Sequence, residues 1–274
     1  MPGARGATTL AAVKRDVAGR TAVITGASRG LGAGLAHAFR ERGLRLGLCA
    51  RSAPALPSGP DVVGERLDVR DAGALAAFAA AVEARFGAID LWINNAGLLE
   101  PIAPVRDVEP AAARAHLEVN VLGVLLGTQA FVRHLRRRGG EGVLVNVSSG
   151  AAQRAYAGWS VYCASKAAVE RLTECAALEE AAHGLRAYAV APGVVDTDMQ
   201  ATIRATPEAR FPEAPRFVQR KQEGRFNSPR FVAEQILAIA FDPAARPVGV
   251  CVRLPDEPER RNPQRGDAER GDVR

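Results

Sequence analysis

Thr25-Gly26-Ala27-Ser28-Arg29-Gly30-Leu31-Gly32 decides the fold. Before it stands a short apolar run, Thr21-Ala22-Val23-Ile24-Thr25, and after it residues 31–42 carry apolar side chains at helical spacing up to Gly43, a residue suited to a helix C-cap. A strand, a glycine turn and a helix therefore follow one another. Glycines in such a turn let backbone N–H groups and the helix N-terminus approach a pyrophosphate. A glycine-rich turn can also be purely structural, so its neighbours decide its meaning.

Outward from this turn, strand-like and helix-like patterns alternate. Residues 44–50 read as a second strand, and the connection at residues 52–60 carries Pro54, Pro57 and Pro60, which favours a loop where a crossover helix would stand. Leu67-Asp68-Val69 is expected to end a third strand, residues 72–86 form an Ala-rich helix, and residues 89–93 a fourth strand running into Asn94-Asn95-Ala96-Gly97. A long helix is expected over residues 109–138, a strand over 142–147, a second long helix over 160–183, and a strand over 185–190 that ends at Pro192-Gly193. Repeated βα units with apolar strands predict an α/β fold: a single Rossmann-type domain with a doubly wound parallel sheet, spanning residues 20–254. Residues 194–230 break the rhythm with Pro207, Pro212, Pro215 and Pro229 and many charges, which marks a candidate substrate lid. Ser228-Pro229 opens a helix to about residue 240, and residues 248–254 supply the last strand. Residues 1–19, basic but without an apolar signal region, read as a loose arm, and residues 255–274 as a disordered charged tail.

The bulk numbers agree with one globular domain: 274 residues, 47% hydrophobic and 24% charged, without an apolar run of transmembrane length. A net charge of +6 raises nucleic-acid binding. The arginines are spread out, and the run Arg136-Arg137-Arg138 ends an amphipathic segment where it complements a helix dipole, so no nucleic-acid partner is expected. Cys49, Cys163, Cys175 and Cys251 have neither CxxC nor Cys/His spacing, which argues against a disulfide framework and against a metal site, and fits a reducing cytoplasm.

Two groups of residues carry chemistry. Folds that prefer NAD put an acidic residue after the second strand to hold the ribose 2′-hydroxyl, whereas here the segment is Leu48-Cys49-Ala50-Arg51-Ser52. Arg51, with Arg29, suits the 2′-phosphate of NADP instead. Asp68, beside Val69, is placed to meet the adenine. The second group is Tyr162-Cys163-Ala164-Ser165-Lys166, with Ser149 thirteen residues before the tyrosine. Spacing of i, i+4 puts Tyr162 and Lys166 on one helix face, where an ammonium would favour the phenolate of a group whose ordinary pKa is about 10.

The glycine turn, Asn94-Asn95-Ala96-Gly97, Asn120, Ser149, Tyr162, Lys166 and Pro192-Gly193-Val194-Val195-Asp196-Thr197 together resemble the ordered motif set of short-chain dehydrogenases/reductases. That resemblance implies an NADPH-dependent carbonyl reductase with Tyr162 as general acid and Ser149 orienting the carbonyl. Lys166 would lower the tyrosine pKa and hold the nicotinamide ribose, and Asn120 would hold a proton-relaying water. The implied cofactor set is Gly26, Ser28, Arg29, Gly30, Leu31, Gly32, Arg51, Ser52, Asp68, Val69, Asn95, Ala96, Gly97, Tyr162, Lys166, Pro192, Gly193, Val195 and Thr197.

Stretches such as residues 95–102, 158–163 and 196–200 resemble the benzil reductase and sepiapterin reductase branch. Sepiapterin reductases anchor the pterin with an aspartate on the last strand, and the corresponding residue here is Arg253, which cannot accept pterin N–H donors. The expected substrate is therefore a ketone or vicinal diketone beside Ser149, Leu98, Leu99, Trp159 and Arg253. Alternatives are sepiapterin reductase proper, a β-ketoacyl reductase and a non-catalytic NADPH-binding regulator. By the same resemblance the chain forms a homodimer or homotetramer, with no membrane partner expected.

Overall fold

In the computed structural model, which describes residues 16–258, the alternation becomes a sheet with helices on both faces. The first half comprises β1 (Thr21–Thr25), α1 (Gly30–Glu41), β2 (Arg45–Ala50), β3 (Val62–Arg66), α2 (Ala72–Phe86) and β4 (Leu91–Asn94). A helical run then carries α3 (Pro110–Leu117), a π turn at Glu118–Leu122, and α4 (Gly123–Arg138). The second half holds β5 (Gly142–Val147), α5 (Ser160–Glu180), β6 (Leu185–Ala191), α6 (Asp198–Ala205), α7 (Ala214–Gln222), α8 (Pro229–Phe241) and β7 (Cys251–Arg253).

All seven strands are parallel, in the order β3-β2-β1-β4-β5-β6-β7. The chain builds outward from β1 to β3 and then returns to the other side of β1, so the strand order reverses between β1 and β4. A crevice opens beyond the carboxyl ends at such a reversal. Every residue of β1 and β4 is buried, as a parallel sheet covered on both faces requires. One face packs on α1 and α8 through Leu35, Phe39, Ile236 and Leu237, and the other on α2 and α4 through Phe78, Val82, Phe131 and Leu135. Phe39, Phe78 and Phe131 are each fully buried, worth about 1.5–3 kcal/mol apiece.

Helix starts follow their caps. The Asp71 carboxylate accepts the Ala74 N–H at 2.9 Å ahead of α2, and the Ser228 hydroxyl accepts the Phe231 N–H at 3.1 Å ahead of α8. Pro229 then fills the first position of α8, where no N–H is needed.

Five boundaries differ from expectation. The third strand stops at Arg66, and Asp68 with Val69 falls in the loop beyond, because Asp68 accepts the backbone N–H of Arg70 and folds the chain into a turn. The helix expected over residues 109–138 is interrupted by the π turn, which stands where Asn120 reaches out of the helix to the backbone of Leu98. The last strand has only three residues, and Val248 is wholly exposed. Residues 255–258, expected as the start of a disordered tail, are held: Asp256 pairs with Arg220, and Glu257 accepts the Ser228 N–H at 2.6 Å while donating its own to Asn227 at 2.7 Å. At the other end Val17 is buried in the α1–α8 core and Gly19 donates to Gly43, so residues 16–19 are not loose. The rest of the arm and residues 259–274 lie outside the described residues.

The run Pro110–Arg138 is long and apolar enough to cross a membrane by length and composition alone. Its buried residues Phe131 and Leu135 pack into the sheet, as in a core helix.

Candidate active site

Beyond the carboxyl ends of the strands lies a cavity of about 980 Å³. Of the residues singled out by sequence, all but Gly32 and Asn120 line it. The glycine turn and Arg51 form one end, and α6, α7 and Arg253 the other.

Backbone shapes the first end. Gly26 has φ +68°, and a Cβ there would sit 2.7 Å from the Cα of Ala96. Gly32 is buried, and a Cβ on it would run into the Gly26 carbonyl and the Asn95 amide. Asn95 ties these strands together: its N–H donates to Thr25 Oγ1 at 3.0 Å, and its Nδ2 donates to the carbonyls of Thr25 and Gly26 at 3.0 and 3.2 Å. Gly32 therefore permits α1 to seat closely rather than touching the cavity. Arg51 is exposed and makes no hydrogen bond or ion pair among the described residues. Arg29 reaches the lid helix α6 through a loose 3.8 Å pair with Asp198. The Asp68 carboxylate is gripped by Arg70 at 2.7 Å, with Arg51 adding attraction, and both hold it below the usual carboxylate range.

The central group sits where β5 and α5 meet. Ser149 caps a short turn, its hydroxyl accepting the Ala151 N–H at 3.2 Å, and it lines the cavity together with Tyr162. Lys166, one turn along α5, donates to the Val147 carbonyl at 2.8 Å and lies 5.8 Å from the Tyr162 ring centroid. Asn120 does not face the cavity. Its Oδ1 accepts the Leu98 N–H at 2.7 Å, and its Nδ2 reaches the Leu98 carbonyl at 2.9 Å and His116 Nε2 at 2.8 Å. The side chain is thus spent on fixing the loop that follows β4, so the water-relay role expected of it does not pass through its amide.

The other end is aromatic. Trp159 stacks on Phe211 at 4.3 Å and meets Tyr156, Tyr162 and Phe217 at 5.2–5.7 Å between ring centroids. Leu99 belongs to the same cluster, whereas Leu98 packs against the α2–α4 core.

Sequence reasoning passed over His116, Ser165, Tyr156, Phe211 and Phe217. His116 is fully buried, with Nδ1 2.6 Å from the Glu100 carbonyl and Nε2 3.0 Å from Ser165 Oγ. Its only signal in the chain is its place four residues before Asn120. The two phenylalanines come from residues 194–230, whose fold no local pattern announced.

Comparison with known proteins gives this geometry its family. The short chain dehydrogenase family model matches residues 20–208. The chain belongs to that family. It is an oxidoreductase of CH–OH and C=O groups. Cis-4-hydroxycyclohexanecarboxylate dehydrogenase of Sinomonas cyclohexanicum is 38% identical over 86% of this chain and 94% of its own. The (S)-benzoin-forming benzil reductase of Bacillus cereus is 32% identical over 86% and 99%. A short chain dehydrogenase from Burkholderia cenocepacia, solved in complex with NADP, superposes with a TM-score of 0.70 at 33% identity, covering 88% of this chain and 90% of that one.

Burial sets the electrostatics of this short-chain dehydrogenase. It pushes the Tyr162 phenol above its ordinary range, with the Ser149 hydroxyl pulling the other way. Desolvation of the phenolate is the largest cause of that rise, and the Lys166 ammonium meanwhile donates to the Val147 carbonyl. Burial also brings Lys166 down to about 8. The His116 imidazole is held below its usual range by burial, against the Glu100 carbonyl, and Lys166 repels its charged form. A neutral His116 can donate from Nδ1 to Glu100 and accept the Asn120 amide at Nε2.

Proposed function

We propose that this short-chain dehydrogenase reduces a ketone or vicinal diketone with NADPH, Tyr162 giving the proton. The observation that carries the reading is the buried Tyr162 phenol, which burial keeps protonated and which lines the cavity together with Ser149 and Lys166. A protonated acid is the form that reduction needs. The first end of the cavity fits a dinucleotide: bare backbone at Gly26, the N-terminus of α1 for a pyrophosphate, and unspent N–H donors on Arg51 for a 2′-phosphate. Residues of the glycine turn, Asn95 to Gly97, Asp68, Val69, Pro192, Gly193, Val195 and Thr197 would hold it. Bound NADPH supplies the hydride to the carbonyl carbon. Ser149 donates to the ketone oxygen and orients it, Tyr162 passes its proton to that oxygen, and the Lys166 ammonium offsets the phenolate left behind. NADP is chosen over NAD because Arg51 stands where an acidic residue would read the ribose, and the Burkholderia neighbour was solved with NADP.

For the substrate, the aromatic cluster around Trp159 offers a wall to a ring beside the carbonyl. The benzil reductase relative acts on an aryl diketone and the Sinomonas relative on a ring alcohol, which supports a ring-bearing ketone. Arg253 lines the cavity where a pterin would need an acceptor. Side-by-side kinetics with NADPH test this: benzil is expected to be reduced to one hydroxyketone with higher kcat/KM than sepiapterin. Sepiapterin outperforming every diketone would overturn the substrate, and no NADPH oxidation with any ketone would favour a binding protein. A cytoplasmic homo-oligomer built on α4 and α5 completes the proposal. Leu178, 83% exposed on α5, is its handle.

A further inference from the structure

We infer that the cavity contains a subsite for an anionic group of the substrate, a carboxylate at the far end of the molecule from its ketone, bound by Arg253 and Arg220. This rests on the ketone-reductase reading and narrows its substrate class. Arg253 ends β7 opposite Ala191 of β6 and lines the cavity. It makes no hydrogen bond or ion pair among the described residues, so all its donors are unspent. Arg220 follows Phe217 by one turn of α7, and both line the cavity. Its Nη2 donates to the Arg225 carbonyl at 3.2 Å and to the Asp256 carboxylate at 3.2 and 3.4 Å, while its Nε is buried with no partner. A guanidinium presents five N–H donors in a planar fork that matches a carboxylate. Arg253 therefore keeps all its side-chain donors and Arg220 its other η nitrogen, and both residues line the cavity.

Local carboxylates do not account for them. Asp256 is 62% exposed and engages one nitrogen of Arg220. Asp196 is paired with Lys221, Asp198 with Arg29, and Glu213 with Arg154 and Arg216.

The cofactor phosphates do not account for Arg253 either. In the sheet order, β7 lies four strands from β1, which feeds the glycine turn, and five from β2, which carries Arg51. At about 4.8 Å per strand these separations are roughly 19 and 24 Å. β5, which leads to Ser149, is only two strands away, roughly 10 Å. A group held by Arg253 thus belongs to the substrate, on the side of the carbonyl remote from the adenosine end. That separation between strands leaves room for a spacer between the reacting carbonyl and the carboxylate, which favours a remote carboxylate over that of an α-keto acid. Trp159 and Phe217 supply the apolar wall along which that spacer lies.

The test compares 4-acetylbenzoate with 4-acetylbenzamide, two aryl ketones of one shape that differ in charge. With NADPH, kcat/KM for the acid should exceed that for the amide at least about tenfold, the gain of a charge-assisted contact, and the difference should sit in KM. Arg253→Gln should collapse the acid-to-amide ratio to within about twofold, and Asp256→Asn, which frees Arg220, should widen it about two- to fivefold, the size of an exposed ion pair. Pyruvate should gain nothing from Arg253. An equal acid and amide in the unmodified protein, or a ratio unmoved by Arg253→Gln, would overturn the subsite. Equilibrium binding of both ketones to Tyr162→Phe with NADPH supplies a second readout that needs no turnover. If benzil and both acetyl compounds go unreduced, the reductase reading fails, and the acid-to-amide binding ratio still decides the subsite.

Discussion

The two ends of the cavity are made of different materials. The cofactor end is shaped by backbone: glycines at 26, 30 and 32, a strand-to-helix turn, and arginines that reach outward. The substrate end is shaped by side chains: Trp159, Tyr156, Phe211 and Phe217 stacked beneath α6 and α7, with Arg220 and Arg253 at the rim. Backbone recognition demands particular residue types at fixed local spacing, whereas side-chain recognition draws on residues from Leu99 to Arg253.

Substitutions can separate the two ends. Tyr162→Phe, between them, should lower kcat by at least about a hundredfold while leaving the NADPH dissociation constant within a few-fold. Near-normal turnover would move the proton donor elsewhere. Gly32→Ala attacks the cofactor end alone: its methyl meets the Gly26 carbonyl and the Asn95 amide, and overpacking of this kind costs about 1–3 kcal/mol. NADPH affinity should fall about tenfold or more, and a variant that binds NADPH normally would show that the turn tolerates expansion. Arg51→Asp should narrow the NADPH-over-NADH preference in kcat/KM at least about tenfold by removing a charge-assisted contact. Equal efficiency with both cofactors before substitution would undo the 2′-phosphate assignment.

The smallest expected effect is on stability, and it concerns Lys166. Its folded pKa, about 8, lies below the ordinary 10.5, so burying the charge destabilises the chain fully below pH 8, and the cost shrinks as pH rises from there toward 10.5. Lys166→Met should abolish turnover yet stabilise the protein by about 1–2 kcal/mol, since relief of that cost is partly offset by the unpaired Val147 carbonyl. Urea unfolding at pH 7 reads the gain, and a loss of stability would mean that the lysine holds β5 to α5. The same titration predicts that reduction by the unmodified enzyme weakens as pH rises through about 8, where the ammonium is lost.

What could be read from the chain tracks the same division. β1 and α2 fall where expected to the residue, because a buried parallel strand and an Ala-rich helix each declare themselves locally. Ser149, Tyr162 and Lys166 were legible through their order and spacing. The π turn was not, since it depends on Asn120 pairing with Leu98, twenty-two residues away. His116 gave no signal because its partners, Glu100 and Ser165, come from other segments. Spacing placed Lys166 on the same helix face as Tyr162, but could not say that burial dominates the phenol or that the ammonium also reaches the Val147 carbonyl. Residues 255–258 looked like a tail by composition, yet their polar groups complete the ends of other elements.

One small knot of bonds has a consequence on a longer clock. Asn227 donates its N–H to the Val194 carbonyl at 2.7 Å and its side-chain amide to Pro192 at 2.8 Å, so the segment carrying α6 and α7 leaves and rejoins the body of the protein at a single clasp. Whatever lies between the two halves of that clasp can lengthen or change without moving the strands below, and doubling such a loop adds only about 0.6 kcal/mol of closure entropy. A lineage can therefore revise the substrate it accepts by rewriting one closed loop, while the machinery for moving protons is inherited intact.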